Sequence, residues 1–118
     1  MKRVQLKDVS PYEPPKHFGM VALKLHGEAE TGLTKFWQGL SHFLPGGGCE
    51  WQYEAEDDPG SRFEKTYFVL KGELCLTTKD EEIILREGDS IALLPFEGRK
   101  MINKTNVVAT ALVTVSTL

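Results

Sequence analysis

Apolar residues in this chain come in short alternating runs rather than helical stripes, and turn-forming residues separate the runs every few positions. Val21-Ala22-Leu23-Lys24-Leu25 predicts a first strand. Residues 34–44, with Phe36, Trp37, Leu40, His42 and Phe43, predict a second, ended by Pro45-Gly46-Gly47-Gly48. Thr66-Tyr67-Phe68-Val69-Leu70 is dense in β-branched and aromatic residues and stops before Gly72. Residues 74–78 and 82–85 flank the polar turn at Lys79-Asp80 as the arms of a hairpin. Residues 90–94 and 107–115 complete the set, and Ser10-Pro11-Tyr12-Glu13-Pro14-Pro15 reads as an opening loop, because proline has no amide to donate. Short strands at regular spacing predict an all-β antiparallel sandwich or barrel rather than a parallel sheet.

Length and charge narrow the picture. A chain of 118 residues can bury roughly two-thirds of its unfolded surface, enough for one domain over 1–118. A net charge of −3 offers no clustered basic footprint for nucleic acid. No apolar run is long enough to span a bilayer, and the basic start Met1-Lys2-Arg3 is followed by no apolar stretch of a signal peptide. The expected location is therefore the cytoplasm, with Cys49 and Cys75 as reduced thiols. Residues 1–33 are assigned to a subunit contact and 34–118 to the barrel core. An edge strand in so small a β-domain needs covering, which predicts a homodimer.

Two segments carry a resemblance. Pro45-Gly46-Gly47-Gly48 through Tyr67-Phe68-Val69-Leu70-Lys71-Gly72-Glu73-Leu74 resembles the first motif of the cupin superfamily, and Gly88-Asp89-Ser90 through Asn103 resembles the second. The resemblance implies a jelly-roll barrel, an antiparallel double-stranded β-helix. It also implies a metal site. In the family, a His-x-His pair and a Glu from the first motif, with a His from the second, hold a divalent transition metal.

All four positions differ here. Gln52 and Glu54 stand at the His-x-His positions, Lys65 at the Glu position with Glu64 beside it, and Arg99 at the third His. The same register lands Asn103 on the family's Asn. A guanidinium has no lone pair for a metal, and an ammonium repels one. The expected cofactor is therefore none. The pocket is expected to bind a small organic acid or a sugar-like ligand through Gln52, Glu54, Lys65, Tyr67, Arg99 and Asn103. Tyr67 shares strand parity with Lys65 and faces wherever it faces. Plainer roles stand beside these: Arg99 and Glu54 as a buried ion pair, Lys65 turned outward with Glu64 inward, and Asn103 as a hydrogen-bonding strut. Residues 55–63 read as an inserted hairpin or lid. The rival function is a metal-dependent enzyme, a dioxygenase or isomerase, with ligands drawn from His42, Glu50, Glu54 and Glu64. His17 and His26 are assigned to the surface or a subunit contact.

Overall fold

A computed structural model describes residues 1–117. Eight strands run β1 (His17–His26), β2 (Phe36–Gln52), β3 (Lys65–Lys71), β4 (Glu73–Thr78), β5 (Glu82–Arg86), β6 (Ser90–Leu93), β7 (Arg99–Ile102) and β8 (Ala109–Ser116). A single helical turn, α1 (Glu28–Thr31), joins β1 to β2. The sheet order is β5-β4-β7-β2-β8-β3-β6, with β1 paired to β2, and every ladder between these strands is antiparallel. The curled sheet forms a nearly closed antiparallel barrel, as the sequence pattern predicts, of the jelly-roll kind that the resemblance implies.

Two elements depart from that pattern. The glycine run does not end the second strand: β2 continues through it to Gln52. Here β2 leaves its partner β8 and takes β7, passing so close to neighbouring backbone that side chains do not fit. A Cβ on Gly47 would lie 1.8 Å from the Gly19 carbonyl oxygen, and one on Gly48 2.0 Å from that of Met101. The run is thus a crossing point inside a strand rather than a stop. The second departure is β7, which the hydrophobic pattern does not announce. Its two buried positions are Arg99 and Met101, so half of its inward face is a charged residue.

Alternation along β3 and β8 divides the interior. Lys65, Tyr67 and Val69 point inward from β3, opposite Val115, Val113 and Ala111 of β8. At one end, Val69, Leu74, Leu76, Leu85, Ala109 and Ala111 pack into an apolar core. At the other, Lys65, Tyr67, Val113 and Val115 line a cavity. The N-terminal segment returns along its own barrel, where the Tyr12 amide donates to the Ala22 carbonyl on the outer edge of β1.

Candidate functional site

The cavity at the open end measures about 800 Å³. Trp37 and Phe43 of β2, Met20 of β1 and the two valines of β8 supply an apolar wall. Tyr12, Trp51 and Phe63 add aromatic surface, and the loop after β2 contributes Glu54, Asp57 and Asp58. An apolar enclosure with a few convergent polar groups is the usual form of a small-molecule site.

Arg99 sits behind the floor of this cavity, fully buried at 0% exposure. Its Nη2 donates to the Tyr67 hydroxyl at 2.6 Å, and its Nη1 to Cys49 Sγ at 3.2 Å and Gln52 Oε1 at 3.3 Å. Nε has no hydrogen-bond partner among the described residues. Burial opposes the charge, but Tyr67, Cys49 and Tyr53 outweigh it and hold the guanidinium protonated. Because the Tyr67 oxygen accepts from Arg99, its own proton remains free to donate, and Tyr67 itself lines the cavity.

Lys65 is the second buried cation, only 4% exposed. Its Nζ donates to the carbonyls of Gly60 at 2.7 Å and Phe63 at 2.9 Å, tying the loop to the barrel mouth. Burial lowers its pKa to about 8, the charge of Arg99 adds to the effect, and Asp58 opposes it. Tyr53 lies between the two cations, its ring centroid 4.1 Å from Lys65 Nζ and 4.5 Å from the Arg99 guanidinium carbon. A left-handed backbone at Tyr53, φ 73°, reverses the chain after β2, and its amide donates to Asp58 Oδ2 at 2.6 Å. Burial pushes the Tyr53 hydroxyl up to about 12.

The sequence-predicted residues separate into three groups. Gln52, Lys65, Tyr67 and Arg99 come together, with Arg99 reaching the cavity through Tyr67 and Gln52 rather than lining it. Glu54 lines the rim but is exposed. Its Oε2 accepts from Trp51 Nε1 at 3.0 Å, so it is no ion-pair partner for Arg99. Asn103 is a strut outside the cavity. Its amide donates to the Phe43 and Val107 carbonyls, and its oxygen accepts from Thr105. Lys65 faces inward and Glu64 is exposed.

Sequence reasoning passed over Tyr53, Asp58 and His17 as site residues. His17, assigned there to the surface or a subunit contact, lines the cavity from the start of β1. Its Nδ1 donates to the Pro15 carbonyl at 2.7 Å, which leaves Nε2 as the acceptor of a neutral ring. Burial lowers its pKa, the Pro15 bond opposes this, and Arg99 adds to the lowering. Only the strand register, which pairs His17 with Cys49, brings it to the mouth.

The residues present do not fit the divalent metal implied by the superfamily. Lys65 and Arg99 oppose a cation, and the Gln52 oxygen is taken by Arg99. The rival set does not assemble either. His42 faces the opposite side of β2 from Ser41 and Phe43 and pairs with Thr110 at 2.9 Å, while Glu50, Glu54 and Glu64 are exposed. Among the described residues, no three His, Cys, Asp or Glu side chains form a metal-binding group.

Comparison with known proteins supports the fold. The family model of the cupin domain matches residues 39–115, more than half of the chain. The chain belongs to the cupin family. This cupin is 35% identical over 116 residues to a protein named Beta-D-galactosidase Rv1717 from Mycobacterium tuberculosis, covering 98% of this chain and 94% of that one. Among solved structures, it resembles the polyketide cyclase RemF from Streptomyces resistomycificus, with TM-score 0.83 and 20% identity over 100% of this chain and 80% of that one. It also resembles a sugar phosphate isomerase of the cupin superfamily from Silicibacter pomeroyi, with TM-score 0.75 and 20% identity, covering 98% and 75%. At such identities these two structures speak for the barrel alone.

Proposed function

We propose that this cupin binds a sugar-type ligand in the barrel cavity, with a galactoside as the first candidate and glycoside hydrolysis as the reaction to test. The observation that carries the reading is the cavity itself: about 800 Å³, walled by aromatic rings and edged by groups that exchange hydrogen bonds with hydroxyls. A sugar ring has an apolar C–H face and a polar perimeter. Trp37 and Trp51 suit the first, while Tyr67, His17, Lys65 and the rim carboxylates suit the second. The similarity to a protein named as a galactosidase over nearly its whole length supports the same choice.

Hydrolysis of a glycoside commonly uses two carboxyl groups, one to protonate the leaving oxygen and one to activate water or attack. Glu54, Asp57 and Asp58 are the carboxylates lining the cavity among the described residues. They belong to one loop, which Lys65 holds through the Gly60 and Phe63 carbonyls. The proposed reaction assigns no role to a metal, in keeping with the donor set. We also place the protein in the cytoplasm as a homodimer, since β1 exposes Phe18 and Val21 along the outside of the barrel.

A chromogenic aryl β-galactoside tests the activity. Release of the phenol by the purified protein, reduced at least tenfold in Glu54→Gln or Asp58→Asn, is the expected result. Turnover unchanged in both variants removes the rim carboxylates from the reaction. Absence of both turnover and galactoside binding removes the sugar reading.

A further inference from the structure

The two buried cations of the site make no direct ion pair with the described residues. Among the described residues, the ion pairs are Arg86 with Glu73 and Lys104 with Glu82, both on the outside of the barrel. Neither buried cation of the site has a carboxylate in contact. Arg99 spends its donors on neutral oxygens and a thiol, with Nε left over. Lys65 gives two N–H bonds to backbone carbonyls and lays its charge over Tyr53. Of the three acids on the rim, Asp58 accepts from the Tyr53 amide and Glu54 from Trp51, and none forms an ion pair with either cation. Buried charges are ordinarily paired, and Lys65 has only the longer-range field of Asp58, so the site leaves room for an acid bound directly against Lys65.

We propose that the ligand's acidic group fills that place, so that the site prefers an acidic sugar, a glycoside bearing a carboxylate, over a neutral one. This rests on the sugar reading above and specifies it. Lys65 and Tyr67 are alternate residues on the inward face of β3, and both line the cavity. The third Lys65 N–H and the Tyr67 hydroxyl proton are free to converge on the two oxygens of a carboxylate. Arg99, fixed behind Tyr67, strengthens that donor without touching the ligand. The acidic rim at Glu54, Asp57 and Asp58 repels the same carboxylate and accepts from sugar hydroxyls, so the ligand enters in one orientation: acid inward, hydroxyls outward.

The test is calorimetric titration with galactose, galacturonate and acetate, on the wild-type chain and on Lys65→Met, at pH 7 and pH 9.5. Galacturonate is expected to bind at least tenfold more tightly than galactose at pH 7, with acetate weaker than both. Lys65→Met should erase the galacturonate advantage, weakening galacturonate at least tenfold more than galactose. The pH arm needs no variant. The titrating and charged groups that share the cavity with Lys65 are Tyr12 and Lys16 of the N-terminal segment, His17 on β1, Tyr53, Glu54, Asp57 and Asp58 on the loop, and Tyr67 on β3, with Arg99 of β7 behind Tyr67. With Lys65 at about 8 in the free protein, galacturonate affinity should fall at least tenfold by pH 9.5 while galactose affinity holds. Equal affinity for galactose and galacturonate at pH 7 overturns the acidic-group inference and leaves the sugar reading standing. Acetate binding as tightly as galacturonate, with galactose silent, overturns both in favour of a site for simple acids.

Discussion

Lys65→Met should change how stability depends on pH in a way that a structural strut could not. Lysine ordinarily titrates near 10.5, and in the folded chain Lys65 titrates at about 8. Below pH 8 both folded and unfolded chains are protonated there, and the buried charge destabilises the fold by about 3 kcal/mol. Between pH 8 and 10.5 the unfolded chain binds more protons at this site, so the contribution rises with pH, by about 2.5 kcal/mol at pH 10. Methionine has similar length and no charge. It removes the penalty at pH 7 and also removes hydrogen bonds to the Gly60 and Phe63 carbonyls, at about 1 kcal/mol each. The variant should therefore be about 1 kcal/mol more stable than wild type at pH 7 and less stable at pH 10, the sign reversing between them. Urea unfolding of both proteins at the two pH values measures it. Comparing the two proteins cancels the other groups that titrate in this range. A variant less stable by the same amount at both pH values refutes the reasoning, because Lys65 would then be a strut with no charge penalty.

Elemental analysis of protein purified without chelator should find far less than one transition metal per chain, and one equivalent of Fe, Mn, Ni or Zn would contradict the reading of Gln52, Lys65 and Arg99. Sedimentation at micromolar concentration should report a dimer, and a monomer alone would exclude the role given to β1. Cys49, buried beside Arg99 with burial raising its pKa, should react with a thiol reagent at least tenfold more slowly in the folded chain than in urea. Equal rates would mean that the barrel opens readily at β2.

The barrel was legible because period-two alternation survives wherever the inward residues are apolar, as in β3 beyond Lys65 and throughout β8. It failed at β7, whose inward Arg99 reads as surface, and at the glycine run, whose local signature is that of a turn. Only the approach of Gly19 and Met101 makes glycine obligatory there. In the site, motif spacing picked out Gln52, Lys65 and Arg99, strand parity added Tyr67, and the fold sets Gln52 and Tyr67 against Arg99. Motif spacing could not see that Glu54, beyond the positive φ of Tyr53, turns out to the rim. Nor could it see His17, which reaches the cavity only through pairing with a distant strand. Parity alone could not choose between Lys65 and Glu64, because neighbouring residues of a strand face opposite ways and one step of register exchanges them. The antiparallel register also separates the two cysteines. Cys49 lies opposite Met101 and Cys75 opposite Ile102, on opposite faces of the sheet, and both are free thiols.

Tryptophan emission reports on the cavity directly, since the chain has 2 tryptophans and both line it. Titrating the protein with methyl β-galactoside and with galacturonate, while following that emission, therefore tests whether the cavity is a sugar site. A saturable change with one ligand per chain, stronger for galacturonate and weakened in Trp37→Ala, is the predicted result. Emission that stays constant with both sugars, from a protein shown to be folded, would contradict it.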